Sequence, residues 1–347
     1  MYITMDKKEI SIILTEKLGK KVTVIEILLI DSGHHSEGYK IVTQEGNSYF
    51  VKKIKSYDIG FEFPERKISS YLVSHSMLKR ADIAPKTIGV VIKNTGMEFL
   101  PEIKESTEIY HFQEYAGEGR KYIDMLDDKV HKKRIDDSDK REIDLIIDFI
   151  VKIHKIKHHS KDKEQLKSIY NDCLRNVIGN PEYLLMLLHS IPDNNPILCP
   201  QNQGEFMALM LENMHFFKDR SERLVALHGD FWGANVFFRK DGSFFVIDYS
   251  RMPWGDAGFD IGFWMSQYLL KYHQGNKIYF KELGNYFLNE YIRKTKDKEI
   301  TQTMVYSLGL IAAMYASPIW VSGIEEKVRI SFFNHICGML KKKDFYW

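Results

Sequence analysis

The sequence predicts an α+β fold, with a small N-terminal β-sheet lobe carrying a helix and a larger, mainly α-helical C-terminal lobe. Three observations predict it. Short β-branched runs broken by glycine-bearing turns fill the N-terminal third, and helical periodicity takes over from Ile143. The chain has 347 residues, beyond the size at which single cores stop growing. The expected boundary gives one lobe over 1–115 and a second over 116–347.

The elements follow in order. Ile10, Ile13, Leu14 and Leu18 share one face of a helix from Lys7, and Gly19 stops it. Val22 to Ile30 reads as a strand, Asp31 to Gly38 as a turn, and Tyr39–Gln44 and Ser48–Ile54 as two more strands joined across Glu45-Gly46-Asn47. Pro64 suits the first position of a helix running to Met77. Ile83–Ile92 and Met97–Leu100 read as strands, and Ile109–Gly119 as the last strand of the lobe running into the segment that follows. From Asp127 to Glu142 twelve of sixteen residues are charged, six of each sign, which reads as a solvated connection or exposed helix end. The next helix is amphipathic, with Ile143, Ile146, Ile147, Ile150, Val151 and His154 on one face. His154 and His158 are four apart; a packed His154 beside an exposed His158 explains them better than a metal pair, since no third ligand is evident. Further helices are expected over 166–178, 181–188, 204–224, 259–272, 277–295, 299–322 and 325–340.

Composition excludes several classes. Hydrophobic residues at 44% and charged residues at 28% describe a soluble globular chain. A net charge of +2 does not describe a nucleic-acid binder. Cys173, Cys199 and Cys337 fit neither a zinc spacing nor a disulfide framework, which points to a reducing cytoplasm. Met1-Tyr2-Ile3-Thr4-Met5-Asp6-Lys7-Lys8 lacks the apolar region expected of a signal peptide. Met304–Ser322 is almost long enough to span a bilayer but carries Tyr306, Ser307, Gly309, Tyr315, Ser317 and Pro318, so it reads as a buried helix.

The chemistry lies in His228-Gly229-Asp230-Phe231-Trp232-Gly233-Ala234-Asn235, followed by Asp248. Val236–Arg239 and Phe244–Ile247 are β-type runs flanking Asp241-Gly242, a hairpin signal. A two-residue turn there sets Asn235 opposite Asp248. An amide oxygen and a carboxylate suit Mg2+, and Asp230, five residues upstream, is placed to take a proton from a hydroxyl. The G-x-S-x-G, H-E-x-x-H and C-x-x-C signatures of other chemistries are missing.

This layout resembles that of protein kinases, in which a loop Asp, an Asn five residues later and a further Asp serve phosphoryl transfer. With His-Gly-Asp in the loop, Ile247-Asp248-Tyr249 at the second motif and Gly255-Asp256-Ala257-Gly258-Phe259-Asp260 downstream, the chain resembles the aminoglycoside phosphotransferase and choline kinase family. The resemblance is strongest over 227–262. It implies a protein-kinase-like two-lobed fold and transfer of the γ-phosphate of ATP to a small molecule. Asp230 is then the catalytic base, Asn235 and Asp248 the Mg2+ ligands, and His228 a brace for the loop. Lys52, closing the apolar run Tyr49-Phe50-Val51, is implied to neutralise nucleotide phosphates, paired with Glu65 or, alternatively, Glu62. The adjacent Lys53 falls on the opposite face. Gly33 and Gly38 are candidates for a loop over the phosphates, and Asp260 for capping or anchoring the metal loop. Gln113, Glu114 and Tyr115 span the hinge that meets the adenine edge.

The expected partners are a nucleotide and a hydroxyl-bearing acceptor, with no nucleic acid or membrane, for a monomer or homodimer. Trp232, Trp254 and Trp264 are candidates to line an acceptor pocket, with core packing the competing reading for Trp264. Asp256, Glu290, Glu325 and Glu326 are acids able to meet amino groups. The acceptor is expected to be an aminoglycoside-like or other hydroxylated antibiotic or amino-bearing metabolite. Choline, ethanolamine, homoserine, methylthioribose and fructosamines stand as alternatives, as does a non-enzymatic, spore-coat-type role.

Overall fold

The computed structural model describes residues 5–32, 36–54, 85–93, 108–179, 184–249, 252–317 and 323–347. Gly33, Glu62, Glu65, the helix expected over 63–77 and the strand expected over 97–100 lie outside the described residues. The chain forms two compact units, Met1–Glu118 with Phe245–Ile247, and Gly119–Phe244 with Asp248–Trp347.

The first unit opens on helix α1, Lys7–Leu18. Asp6 caps it and exchanges hydrogen bonds with Glu9, and Gly19 ends it at φ +64°. Strands β1 (Val24–Ser32), β2 (Ser36–Thr43), β3 (Ser48–Ile54), β4 (Thr87–Lys93) and β5 (Glu108–Glu114) form an antiparallel sheet in the order β1-β2-β3-β5-β4. Period-two alternation sends Tyr39, Ile41, Tyr49, Val51, Tyr110 and Phe112 into one core with Ile10 and Leu14 of α1. The expected turn over 31–38 is shorter, because Asp31 and Ser32 still pair with Gly38 and Glu37. Gly38 is therefore a strand residue opposite Lys52, not part of a loop over phosphate. A Cβ there would come within 2.8 Å of the Phe50 ring, so the missing side chain makes room for that ring.

The second unit is largely helical and opens on the two-residue strand β6, Arg120–Lys121. Its helices are α2 (Tyr122–Asp128), α3 (Asp137–His154), α4 (Lys163–Gly179), α5 (Leu184–Ser190), α6 (Pro200–Phe217), α7 (Gly258–His273), α8 (Lys277–Thr295), α9 (Ile300–Ala316) and α10 (Glu326–Lys342). Helix α9 is buried almost all round, and among the described residues no helix is long and apolar enough to cross a membrane. It meets α7 at glycine: a Cβ on Gly262 would lie 2.5 Å from the Met304 carbonyl oxygen. Trp264 is fully buried and stacks on Tyr122 and Phe231 at 5.1 and 4.8 Å. It is a core residue and not part of an acceptor pocket.

Two expectations change here. The charged run is solvated only in part: Asp127, Asp128, Lys133, Arg134, Asp136, Asp137 and Arg141 are exposed as expected, but Asp139 is 1% exposed and receives Lys129 at 2.9 Å and Lys132 at 3.0 Å, and Lys129 also meets Glu142. Composition cannot separate a solvated run from one whose opposite charges pair across a turn. The helix expected to reach residue 224 stops at Phe217. Asp219 turns the chain at φ +69°, and Leu224–Ala226 forms strand β7 instead. Tertiary pairing decides this, since β7 bonds to β10, Trp254–Asp256.

Candidate active site

The loop from His228 to Asn235 follows β7 and leads into β8, Val236–Phe238. Asp230 and Asn235 lie together, each buried at 8% and 7% exposure. The Asn235 amide Nδ2 donates to the Asp230 carbonyl at 2.9 Å and to its carboxylate Oδ2 at 3.1 Å. That commits the nitrogen end of the amide and leaves its oxygen as the acceptor atom.

The loop is fixed from behind. Gly229 sits at φ +82°, and a Cβ there would lie 2.5 Å from the Met252 backbone nitrogen, so only glycine fits. Asp260, fully buried in the first turn of α7, accepts the backbone N–H of His228 at 2.8 Å and of Gly229 at 2.9 Å. His154 Nε2 lies 3.1 Å from the same carboxylate, and His154 Nδ1 lies 2.8 Å from the Tyr291 hydroxyl. Asp260 thus anchors the loop that carries Asp230 and Asn235. His154 is packed as expected, whereas His158 is half-buried, stacked on His159 at 4.3 Å and edge-on to Trp254 at 4.9 Å. The His228 ring accepts the Asp230 N–H at 3.2 Å and lies against Tyr249 at 4.1 Å, geometry that suits a brace. Further along, Gly233 donates its N–H to Gln267 Oε1 at 3.1 Å and accepts from Ile123 N–H at 3.1 Å.

The hairpin differs from the expected one. Arg239 N–H bonds the Ser243 carbonyl at 2.7 Å, Gly242 N–H bonds the Arg239 carbonyl at 3.0 Å, and Gly242 has φ +83°. This is a three-residue loop closed by a left-handed glycine, so the register is one residue away from the one that set Asn235 opposite Asp248. Asp248 lies two residues beyond β9, Phe244–Val246, and is half-buried at φ +68°. A non-glycine residue in the left-handed region is uncommon, and the bend takes its side chain off the strand's alternation.

In the first unit Lys52 is half-buried on the face of β3 away from the α1 core, opposite Gly38 and His111. Lys53 turns to the core face, 5% exposed, with Nζ 5.9 Å from the Tyr110 ring. Gln113 opposes Phe50 and Glu114 opposes Tyr49 in the ladder. The Glu114 N–H is committed to the Lys86 carbonyl at 2.9 Å. Tyr115 follows the strand, half-buried, with Lys40 Nζ 4.5 Å above its ring.

Among the described residues no group of three or more His, Cys, Asp or Glu side chains gathers for a metal. Mg2+ is a hard cation that takes oxygen ligands and often shares them with phosphates. The oxygens of Asn235 and Asp248 are of the right kind. Asp256 is not a free surface acid: Arg223 grips it through Nε at 2.6 Å and a terminal nitrogen at 3.1 Å, and Tyr170 and the Gly258 N–H also donate to it. Burial alone would raise the Asp256 carboxyl pKa, but the Arg223 charge and hydrogen bonds hold it below the usual range.

Residues 133–270 match the model of the phosphotransferase enzyme family. This segment belongs to that family. The family segment contains Asp230, Asn235, Asp248 and Asp260. Solved structures extend the likeness in fold over most of the chain. A Plasmodium vivax ethanolamine kinase superposes with a TM-score of 0.56 at 13% identity, covering 92% of this chain and 84% of its own. A thermostable mutant of the aminoglycoside phosphotransferase APH(4)-Ia, in complex with ADP and hygromycin B, gives 0.53 at 13% identity, covering 96% and 98%. An amicoumacin kinase in complex with AMP-PNP and Ca2+ gives 0.51 at 12%, covering 91% and 88%. The fold is therefore kinase-like. A search of curated protein sequences found no match.

Gln267 and Arg223 were not singled out from the sequence. A lone amide within the apolar run of α7, and an arginine directly before the apolar strand Leu224–Ala226, are the signals that mark them.

Proposed function

We propose that this phosphotransferase-family protein is an ATP-dependent, Mg2+-assisted kinase that phosphorylates a hydroxyl of a small molecule, with an aminoglycoside-like or other hydroxylated antibiotic or amino-bearing metabolite as acceptor. The observation that carries this reading is the buried Asp230–Asn235 pair on a loop anchored through Asp260. In phosphoryl transfer the protein mainly positions groups and offsets charge.

In this reading Asp230 orients the acceptor hydroxyl and receives its proton as the hydroxyl oxygen bonds to the γ-phosphorus of ATP and the bond from that phosphorus to the bridging oxygen breaks, releasing ADP. Asn235 holds the Asp230 carboxylate and presents its own oxygen, with that of Asp248, to Mg2+. When bound, the metal offsets charge on the nucleotide phosphates. Lys52 is assigned to the non-transferred phosphates and Glu65 to steadying it. Tyr115 remains the candidate for meeting the adenine edge by its backbone, with Gln113 and Glu114 shaping the strand before it. Three free cysteines accord with a reducing cytoplasm.

Choline, ethanolamine, homoserine, methylthioribose and fructosamines are further acceptors within this reading. The second reading is a kinase-fold protein with a structural role. ATP consumption across a panel of amino sugars, amino alcohols and antibiotics tests both. Phosphorylated product from one panel member supports the kinase. Silence across the panel, together with absent nucleotide binding, supports the structural role.

A further inference from the structure

Large apolar side chains left in solvent gather on one strand. Ile25, Leu28, Leu29 and Ile30 of β1 are 50, 39, 57 and 47% exposed. β1 is an edge of the five-stranded sheet. Helix α1 covers only its start: Ser11 Oγ accepts the Val24 N–H at 2.9 Å, and Lys7 Nζ donates to the Ile25 carbonyl at 2.6 Å. From Glu26 to Leu29 the strand pairs regularly with β2, so alternate N–H and C=O groups point away from the sheet. An apolar edge with open backbone groups is a template for another strand.

We propose that β1 is a self-association edge, and that two copies of this chain pair β1 with β1, antiparallel, about a two-fold axis at Leu28. Two constraints set this register. Outward-pointing groups sit on alternate residues, so in a two-fold pairing each residue opposes one of its own parity. Charge then selects among the allowed registers. With Leu28 on the axis, Ile27 opposes Leu29 of the second copy. Ile25, with Lys7 at its carbonyl, opposes the exposed Asp31 of the second copy. The Lys7–Asp31 complementarity forms twice, once at each end. An axis at Ile27 or Leu29 sets Asp31 against Thr23 or Ile27 and loses it. A second copy is the occupant because the same edge supplies both halves of that match, Lys7 from α1 and Asp31 from β1. The register shifts beside Ile25 and Ile30 twist the strand ends and confine regular pairing to the middle. The interface is small, so the dimer is weak, with Kd on the order of micromolar.

Sedimentation velocity on the full chain, over a concentration series reaching roughly 100 µM, reads the association. A reversible dimer is expected. K7E and D31K each weaken it about tenfold, and the double charge swap restores it. Under mild oxidation Leu28→Cys cross-links the dimer, because opposed Cα atoms about 4.5–5.5 Å apart accept a disulfide. Leu29→Cys does not, since its copies are offset along the strand. The unsubstituted chain with its three free cysteines is the control, and circular dichroism restricts the comparison to folded variants. A chain that stays monomeric throughout, cross-linking that is equal at 28 and 29, or a double swap that fails to restore association overturns the proposal.

Discussion

Gln267 accepts the backbone N–H of Gly233 at 3.1 Å, a bond from a buried helix into the loop that carries Asp230 and Asn235. A Cβ on Gly233 would collide with that amide oxygen, so the contact depends on glycine. Gln267 is 1% exposed, and its Nε2 has no hydrogen-bond partner among the described residues. The side chain therefore acts through its oxygen. Gln267→Leu leaves a buried N–H unsatisfied, at about 1–3 kcal/mol. We expect kcat to fall on the order of tenfold, with ATP affinity unchanged. Gln267→Glu, kept neutral by burial, retains an acceptor and recovers most of the rate. Steady-state kinetics and calorimetry on both variants check this.

Asp260 makes a stronger hold on the same loop. Its two oxygens serve the N–H groups of His228 and Gly229 and the ring of His154. Asp260→Asn keeps one acceptor oxygen and turns the other into a donor facing a donor. Unfolding stability should drop by about 1–3 kcal/mol, and kcat on the order of a hundredfold, because the loop bearing Asp230 loses its register. Denaturant titration alongside turnover separates the two effects. A variant with wild-type kcat would remove Asp260 from the positioning role.

Arg223 and Asp256 tie the entrance of β7 to the start of α7. Arg223 also pairs with Asp297 at 2.8 Å. Arg223→Met strands a buried carboxylate, a loss of about 3–5 kcal/mol. The folded pKa of Asp256 is depressed, so its contribution is present above the ordinary carboxylate pKa and fades as pH falls through the folded value. Without Arg223, burial raises that pKa instead, and the deficit should shrink on acidification from about pH 7 to pH 4. Urea midpoints across that range give the readout.

His273 and His335 form a second pH-sensitive pair, with ring nitrogens 3.0 Å apart. Burial, then the neighbouring His335, lowers the His273 pKa to about 4. A depressed histidine pKa means the unfolded chain binds the proton first. Stability is therefore full above the unfolded value, about 6.5, and declines as pH falls toward 4. His273→Asn should flatten that decline in urea titrations at stepped pH.

The sequence carried the periodic features of this fold well. The apolar face of Ile143–His154 predicts α3, and alternation in Ser48–Ile54 predicts both β3 and the opposite facing of Lys52 and Lys53. Boundaries decided by tertiary partners were not legible. Nothing local in Lys218–Arg223 stops a helix; the pairing of β7 with β10 and of Arg223 with Asp256 does. The Asp241-Gly242 pair announces a hairpin but serves two- and three-residue loops alike, and one residue decides the register. At the site, the motif spacing marked Asp230 and Asn235 as residues of one loop, but it set Asn235 opposite Asp248, and the Asn235 contact with Asp230 comes from the fold of the loop. The bonds from Asp260, His154 and Gln267 join residues far apart in sequence and leave no local pattern.

Asp230→Ala, examined by calorimetry with Mg2+ and a non-hydrolysable ATP analogue and by turnover with the acceptor the panel identifies, tests the central claim most directly. We expect turnover to vanish while nucleotide binding stays within a few-fold of the parent protein. Turnover that survives the substitution, or nucleotide binding lost together with turnover, would contradict the assignment of Asp230 as the group that receives the acceptor's proton.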